Sequence, residues 1–254
     1  METKDFSFQG KVYLGTRLAG GKPGVLRWVG DSPKCEVALS TESETRRESY
    51  SGKRLPSARL QKGSDAKVSM TLNWANADNL ALGLYGKIIT VAGGSVTAEV
   101  LPTGLVAGDV IALDRGGVST LVITDSTASP VTATEGTHYA LESANGGIVR
   151  IIDPASLVQP LKAAYQHTAS RDVSMFTGKP PERYLLLDGI NTLDNSPVKM
   201  RLYRLQFDPF SSIPLINEGF GTLELEGAAL YDDEAALDDD FGGFGKIEQS
   251  TAVA

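Results

Sequence analysis

Apolar and polar residues alternate with a period of two along much of this chain. Cys35, Val37 and Leu39 alternate with Glu36, Ala38 and Ser40. Ala66, Val68, Met70, Leu72 and Trp74 alternate more cleanly with Lys67, Ser69, Thr71 and Asn73. A period of two puts one set on each face of a strand, so both segments predict strands with one buried side. Between them lies ETRRESYSGKRLPSARLQKGS, which has almost nothing to bury. Loops longer than about 12–15 residues are uncommon in compact domains unless functional or disordered. The stretch from Arg46 to Lys62 is therefore expected to be an extended loop, a basic arm held out to touch another molecule.

The same pattern predicts further elements. Phe6 to Leu18 reads as an arm and first strand, and Val25 to Val29 as a short strand containing Trp28. Asn76 or Asp78 can cap a helix that carries Leu80, Ala81 and Leu84 on one face and stops at Gly86. So short a helix is marginal alone and must lean on a sheet. From Ile88 to Gln166 charge falls and Thr, Val and Gly rise. Strands are expected there at Asp109–Leu113, Leu121–Thr124, Tyr139–Glu142 and Ile148–Ile152, with a hairpin turn at Asn145-Gly146. Val173–Thr177 and Tyr184–Ile190 resume the core. Val198, Met200 and Leu202 are apolar, then Tyr203, Leu205 and Phe207, a slip of one residue. Either a β-bulge sits near Leu202–Tyr203 or both faces are covered there. Leu223 and Leu225 alternate with Glu224 and Glu226 in the last strand, and the acidic, glycine-rich end is expected to be loosely ordered.

Composition narrows the class. The 27 glycines and 12 prolines are scattered as turn punctuation, which favours many short strands. One cysteine excludes an internal disulfide, the start METKDFSFQG carries no basic-then-apolar leader, and no apolar run approaches a bilayer span. These features fit folding in a reducing cytoplasm. The net charge of −7 is unevenly placed. Met1 to Ala75 holds 13 Lys/Arg against 8 Asp/Glu, whereas Leu215 to Ala254 holds 10 Asp/Glu against Lys246 alone. A basic front and an acidic back attract copies head to tail.

Catalytic and metal signatures are weak. His138 and His167 are far apart, with no nearby acidic or cysteine cluster to complete the three or four ligands a metal needs. There is no G-x-S-x-G elbow and no glycine-rich phosphate loop. Cys35 falls on an apolar strand face, and Asp238–Asp240 lacks the spacing of a calcium loop. No enzyme, cofactor or metal site is expected. Arg46, Arg47, Lys53, Arg54, Arg59 and Lys62, with Tyr50, could form a nucleic-acid patch. The interleaved Glu42, Glu44 and Glu48 and the low overall pI argue against strong binding to phosphates. A solvated loop, or a docking arm for a second copy, are the other readings, and the docking arm fits best.

RRESYSGKRL followed by KVSMTLNWANADNLALGLYG resembles the major tail tube proteins of long-tailed bacteriophages with non-contractile tails. RLYRLQFDPFSSIPLI and GTLELEGAALYDD resemble the closing strands of that family, and FSFQGKVYLG with KPGVLRWVGD its opening portion. Ile88 to Gln166 matches more loosely. The resemblance implies a mainly β fold: a β-sandwich or partial barrel with a short flanking helix, formed by residues 1–87 and 167–254. An inserted small β subdomain at 88–166 would decorate the tube exterior. It implies hexameric rings that stack into a channel for double-stranded DNA, within a virion tail assembled in the bacterial cytoplasm. Implied partners are copies of the chain, the tape measure, tail terminator and distal tail proteins, and DNA in passage. The loop from Arg46 to Lys62 corresponds to the extension that reaches the next ring, with acidic groups of the C-terminal third as its expected counterpart. Glu224 and Glu226, opposite the core face, are the candidates for the lumen. The inner tube of a contractile tail or type VI secretion system, and a monomeric β-sandwich binding module, are the alternatives.

Overall fold

A computed structural model describes residues 5–249. Along the chain run β1 (Phe8–Leu18), β2 (Lys22–Trp28), β3 (Lys34–Arg47), β4 (Pro56–Leu72) and helix α1 (Ala77–Gly83). Then come β5 (Ile88–Val91), β6 (Gly94–Val100), β7 (Val110–Ala112), β8 (Val118–Thr124), β9 (Tyr139–Ser143) and β10 (Ile148–Ile151). β11 (Lys162–His167), β12 (Ser170–Val173), β13 (Glu182–Asn191), β14 (Pro197–Phe207), β15 (Leu223–Ala229) and β16 (Gly245–Gln249) complete the strands. The protein is mainly β, with several antiparallel sheets, one short α-helix and no closed barrel among the described residues.

The chain divides into two compact units, one built from Met1–Ile88 and Val173–Ala254 and the other from Ile89–Asp172. The first holds an eight-stranded sheet in the order β2-β1-β13-β14-β15-β4-β3, with β16 also on β14. β1 and β4 are four places apart in that order. Yet Val12 and Leu14 of β1 share one core with Val68, Met70 and Leu72 of β4 and with Leu205, Phe207, Leu223 and Leu225. The sheet must therefore curl over its own apolar face. β14 is the corner: its outer edge pairs with β16 over Val198–Leu202 and with β15 over Leu205–Phe207.

The phase slip has a structural cause. Leu185 stands opposite Leu202 and Arg183 opposite Leu205, so Tyr203 and Arg204 together face Tyr184. That bulge turns Tyr203 to the side of the sheet away from the main core. There it packs with Tyr184, Ala235 and Phe241 in a second, smaller cluster. Both sequence alternatives meet at this point.

Three elements differ from expectation. α1 is capped by Asn76, whose side chain accepts from the Asn79 N–H, but it ends at Gly83. The left-handed residue that turns the chain away is Tyr85 (φ 49°), with the Gly86 N–H bonded to Ala81 O. The strand expected at Val173–Thr177 is Ser170–Val173, and residues 174–181 are irregular. The C-terminal stretch is not loose through Gln249: it forms a 3-10 turn at Ala235–Leu237 and then β16 (residues 250–254 lie outside the described range). Its anchor is the fully buried Asp232, which accepts from Arg17 Nε at 2.9 Å and from the Ala235 N–H at 3.1 Å.

The second unit has its own core, including Ile123, Tyr139, Val149, Ile151, Leu161 and Tyr165, between the sheets β7-β10-β9 and β6-β11-β8. β5 and β12, where the chain enters and leaves, pair as a two-stranded sheet. The β9–β10 hairpin turns through residues 144–147, with Gly147 rather than Gly146 left-handed.

Burial alone would raise the Asp232 carboxyl, but the hydrogen bonds from Arg17 and the Ala235 N–H outweigh it and hold the group below its ordinary value. Its stabilising effect is thus present above the unfolded value near 3.8 and is lost as pH falls through the lower folded one. Asp232→Ala removes the carboxylate that pins Arg17, leaving Glu182 at 3.9 Å, and is expected to cost about 2 kcal/mol in urea unfolding at neutral pH. The difference from the unaltered protein should shrink in acid.

Candidate assembly surface

β3 and β4 pair continuously from Lys34 and Thr71 to Arg47 and Pro56. Their inner ends lie on the core, where Ala66, Val68 and Met70 are buried. From Leu39 outward the support ends: of residues 39–65 only Glu48 is buried. The outer part is a bare two-stranded ribbon, reaching roughly 25–30 Å over eight residues at the usual strand rise. The expected loop at Arg46–Lys62 is thereby corrected. Its flanks are strand, and only residues 48–55 form the connection. Two-sided exposure left no alternation to read, while backbone pairing, started on the core, carries the strands outward.

Glu48 organises the tip. Its carboxylate accepts from the Tyr50 and Ser51 N–H groups at 2.8 Å, from the Leu55 N–H at 3.2 Å and from the Ser51 hydroxyl. The Ser51 hydroxyl and N–H, with the Leu55 and Tyr50 N–H groups, hold this carboxyl down at about 2. Gly52 and Arg54 take left-handed conformations (φ 77° and 52°), and Tyr50 stands almost fully exposed at the end.

The basic residues separate by role. Lys62, beside the irregularity that puts Gly63 opposite Glu42 and Gln61 opposite Ser43, pairs with Glu44 at 2.7 Å. Arg47 donates to Arg54 O at 3.1 Å across the tip. Arg46 and Arg59 leave opposite faces of the ribbon, since each stands on a different one of two adjacent cross-strand pairs. The side chains of Arg46, Lys53, Arg54 and Arg59 form no hydrogen bond or ion pair among the described residues.

Glu224 and Glu226 lie on the sheet face away from the core, in rows that run Glu224–Thr71–Lys34 and Glu226–Ser69–Glu36. Thr71 Oγ1 donates to Glu224 at 2.8 Å, and Lys34 pairs with Glu36 at 3.1 Å. β2 and β3 end the main path of the sheet and β16, paired to β14, is a further edge, each with one side of its backbone unpaired by another strand among the described residues. Sequence reasoning missed the connection between β14 and β15. There Leu215, Ile216 and Phe220 are almost wholly exposed. The signal was the run IPLI without alternating polar partners.

Neither His138 nor Cys35 is set up as a base or nucleophile. His138 Nδ1 accepts from the Thr134 N–H at 2.8 Å, so Nε2 carries the proton towards Ser156 Oγ at 3.2 Å and cannot deprotonate it. Burial pushes the Cys35 thiol up to about 11, the reverse of an activated nucleophile. Asp238 accepts from the Asp240 N–H, and no three His, Cys, Asp or Glu side chains converge as metal ligands would among the described residues.

Glu48→Ala removes four acceptor contacts from the tip. Trypsin should then cut after Lys53 and Arg54 at least several-fold faster, with the urea midpoint of the core unchanged. The unaltered tip should hold above the ordinary glutamate value of 4.5 and loosen as pH falls towards 2, read by amide exchange at Ser51 and Leu55.

No curated protein matches the chain. A family model does match it over nearly its whole length, at residues 5–248. The chain belongs to the family described as protein of unknown function UCP028589.

Proposed function

We propose that this protein is a structural, self-assembling subunit of a bacteriophage tail tube of the long, non-contractile kind. The observation that carries the reading is the β3–β4 ribbon. A two-stranded hairpin is marginal by itself in water. A paired ribbon with both faces exposed is stable when it lies against another molecule, and its polar, mixed-charge surface suits a wet contact between copies. In a ring, the free edges at β2 and β3 become shared between neighbours, which removes the hazard of open edges. The ribbon then reaches the next ring, a head-to-tail contact that propagates as a filament. The resemblance of the Arg46–Leu55 and Lys67–Gly86 segments to tail tube proteins adds the particular assembly.

The bore must pass DNA without retaining it. Glu224 and Glu226 face the lumen in this reading, where carboxylates repel phosphate instead of exchanging counterions with it. Residues 89–172 decorate the tube. Their two tyrosines, Tyr139 and Tyr165, are buried and the stretch has no Phe or Trp, which leaves no large aromatic ring for stacking on sugars and favours a spacer. Tape measure, terminator and distal tail proteins are the further partners, and the virion tail is the destination.

Negative-stain electron microscopy of the purified protein tests the proposal. Rings or tubes are expected, and a chain that stays monomeric at every concentration sinks it. Replacing residues 42–63 by a two-residue turn should leave rings and abolish stacking. Raising salt from about 0.1 M to 1 M shortens the screening length from roughly 10 to 3 Å. Sedimentation should then show weaker stacking, and salt-indifferent tubes would exclude an electrostatic lock.

A further inference from the structure

The core-facing side of β2, β1 and β13 is apolar at Leu14 and Leu185, but it ends in two arginines. Arg27 stands opposite Leu14 and Arg183 opposite Thr16, two residues further along β1, so both leave the same face of the sheet. With Lys179, Asp78 and Tyr85 they line a cleft between that face and α1. Arg27 donates to Asn79 Oδ1 at 2.9 Å and lies in the field of Asp78. The side chains of Arg183 and Lys179 form no hydrogen bond or ion pair among the described residues. Three cations thus meet one carboxylate in a recess. Burial lowers both arginines, and the neighbouring Arg27 lowers Arg183 further. Arg27 and Arg183 are half-buried and Lys179 is exposed, so the excess positive charge is partly desolvated, which favours a further anion beside Asp78. A guanidinium fork offers paired donors that match a carboxylate.

The chain carries the complement. Asp239 and Asp240 are exposed on the turn before Phe241, and their carboxylates form no ion pair among the described residues. Phe241 fixes that turn by packing on Tyr203, ring centroids 5.6 Å apart, in the cluster that includes Tyr184. Tyr184 and Arg183 are consecutive in β13 and point to opposite faces. A copy's own acidic turn is therefore on the wrong side of the sheet to enter its own cleft.

We propose that the Arg27–Arg183 cleft is a receptor for a carboxylate, and that its occupant is the Asp239–Asp240 turn of a second copy. The second half rests on the self-assembly reading. Calorimetric titration of the full-length protein with a synthetic peptide spanning Ala236–Gly243 reads the cleft directly, whether or not tubes form. Saturable binding is expected, weakened by at least about tenfold in R183A or when the peptide's aspartates are replaced by asparagine. Binding of free succinate but not of the peptide overturns the second copy's turn as occupant, and binding of neither overturns the whole proposal. In the assembly arm, R183E should raise the protein concentration needed for rings at least about tenfold, and D239R in the same chain should restore it. Unfolding midpoints confirm that the variants fold. Unchanged assembly of R183E, or loss without rescue, counts against the second copy as donor. Tubes from a protein that ignores the peptide would sink the receptor alone. Peptide binding by a protein that never assembles would sink the tube reading alone.

Discussion

A ribbon of two strands has no interior. The other paired elements of the first unit obtain stability by turning an apolar face onto another part: β1 and β4 through the curled sheet, α1 through Leu82, and the C-terminal turn through Phe241 on Tyr203. Residues 39–65 cannot do this, because a hairpin beyond the edge of its core exposes both faces. Its organisation is instead local, a backbone ladder started on the core and a tip gathered around one carboxylate. Such a device resembles a tenon, shaped in advance for a mortise elsewhere. Pre-ordering lowers the conformational entropy lost on docking.

Polar groups follow the same division. Where they are buried they are answered within the chain, as Asp232 is by Arg17 and the Ala235 N–H. Those left unanswered, Arg46 and Arg59 on the arm, Arg183 and Lys179 in the cleft, and Asp239 and Asp240 on the turn, lie at surfaces that another molecule can reach. Complementary charges distributed over separate faces favour association between copies over closure within one.

What the sequence disclosed tracks how much each segment buries. The strands with one apolar side, Ala66–Leu72 and Leu223–Leu225, were legible because alternation records a half-buried sheet. The slip at Tyr203 was legible because a bulge reverses that alternation. The arm's strands were hidden, since Ser, Thr, Glu and Arg on both sides carry no period. The ordered C-terminus was hidden for another reason: its acidic composition outweighs the few residues, Asp232, Ala235 and Phe241, that pin it down. The cleft joins positions more than 150 residues apart, which no local pattern encodes. Arg27 within the apolar run VLRWV was its one visible sign.

The long insertion between β4 and β13 has a temporal consequence. β1 pairs with β13, and β4 with β15, so neither half of the first sheet can close until residues beyond 173 have left the ribosome. Residues 89–172 enclose a core of their own and can fold earlier. β14 acquires its last neighbour only with β16, which follows β15 in the chain. Contacts of such high sequence separation make maturation slow but also make it terminal. Under the assembly proposed above, a chain whose first sheet is still open has no finished edge to offer a neighbour.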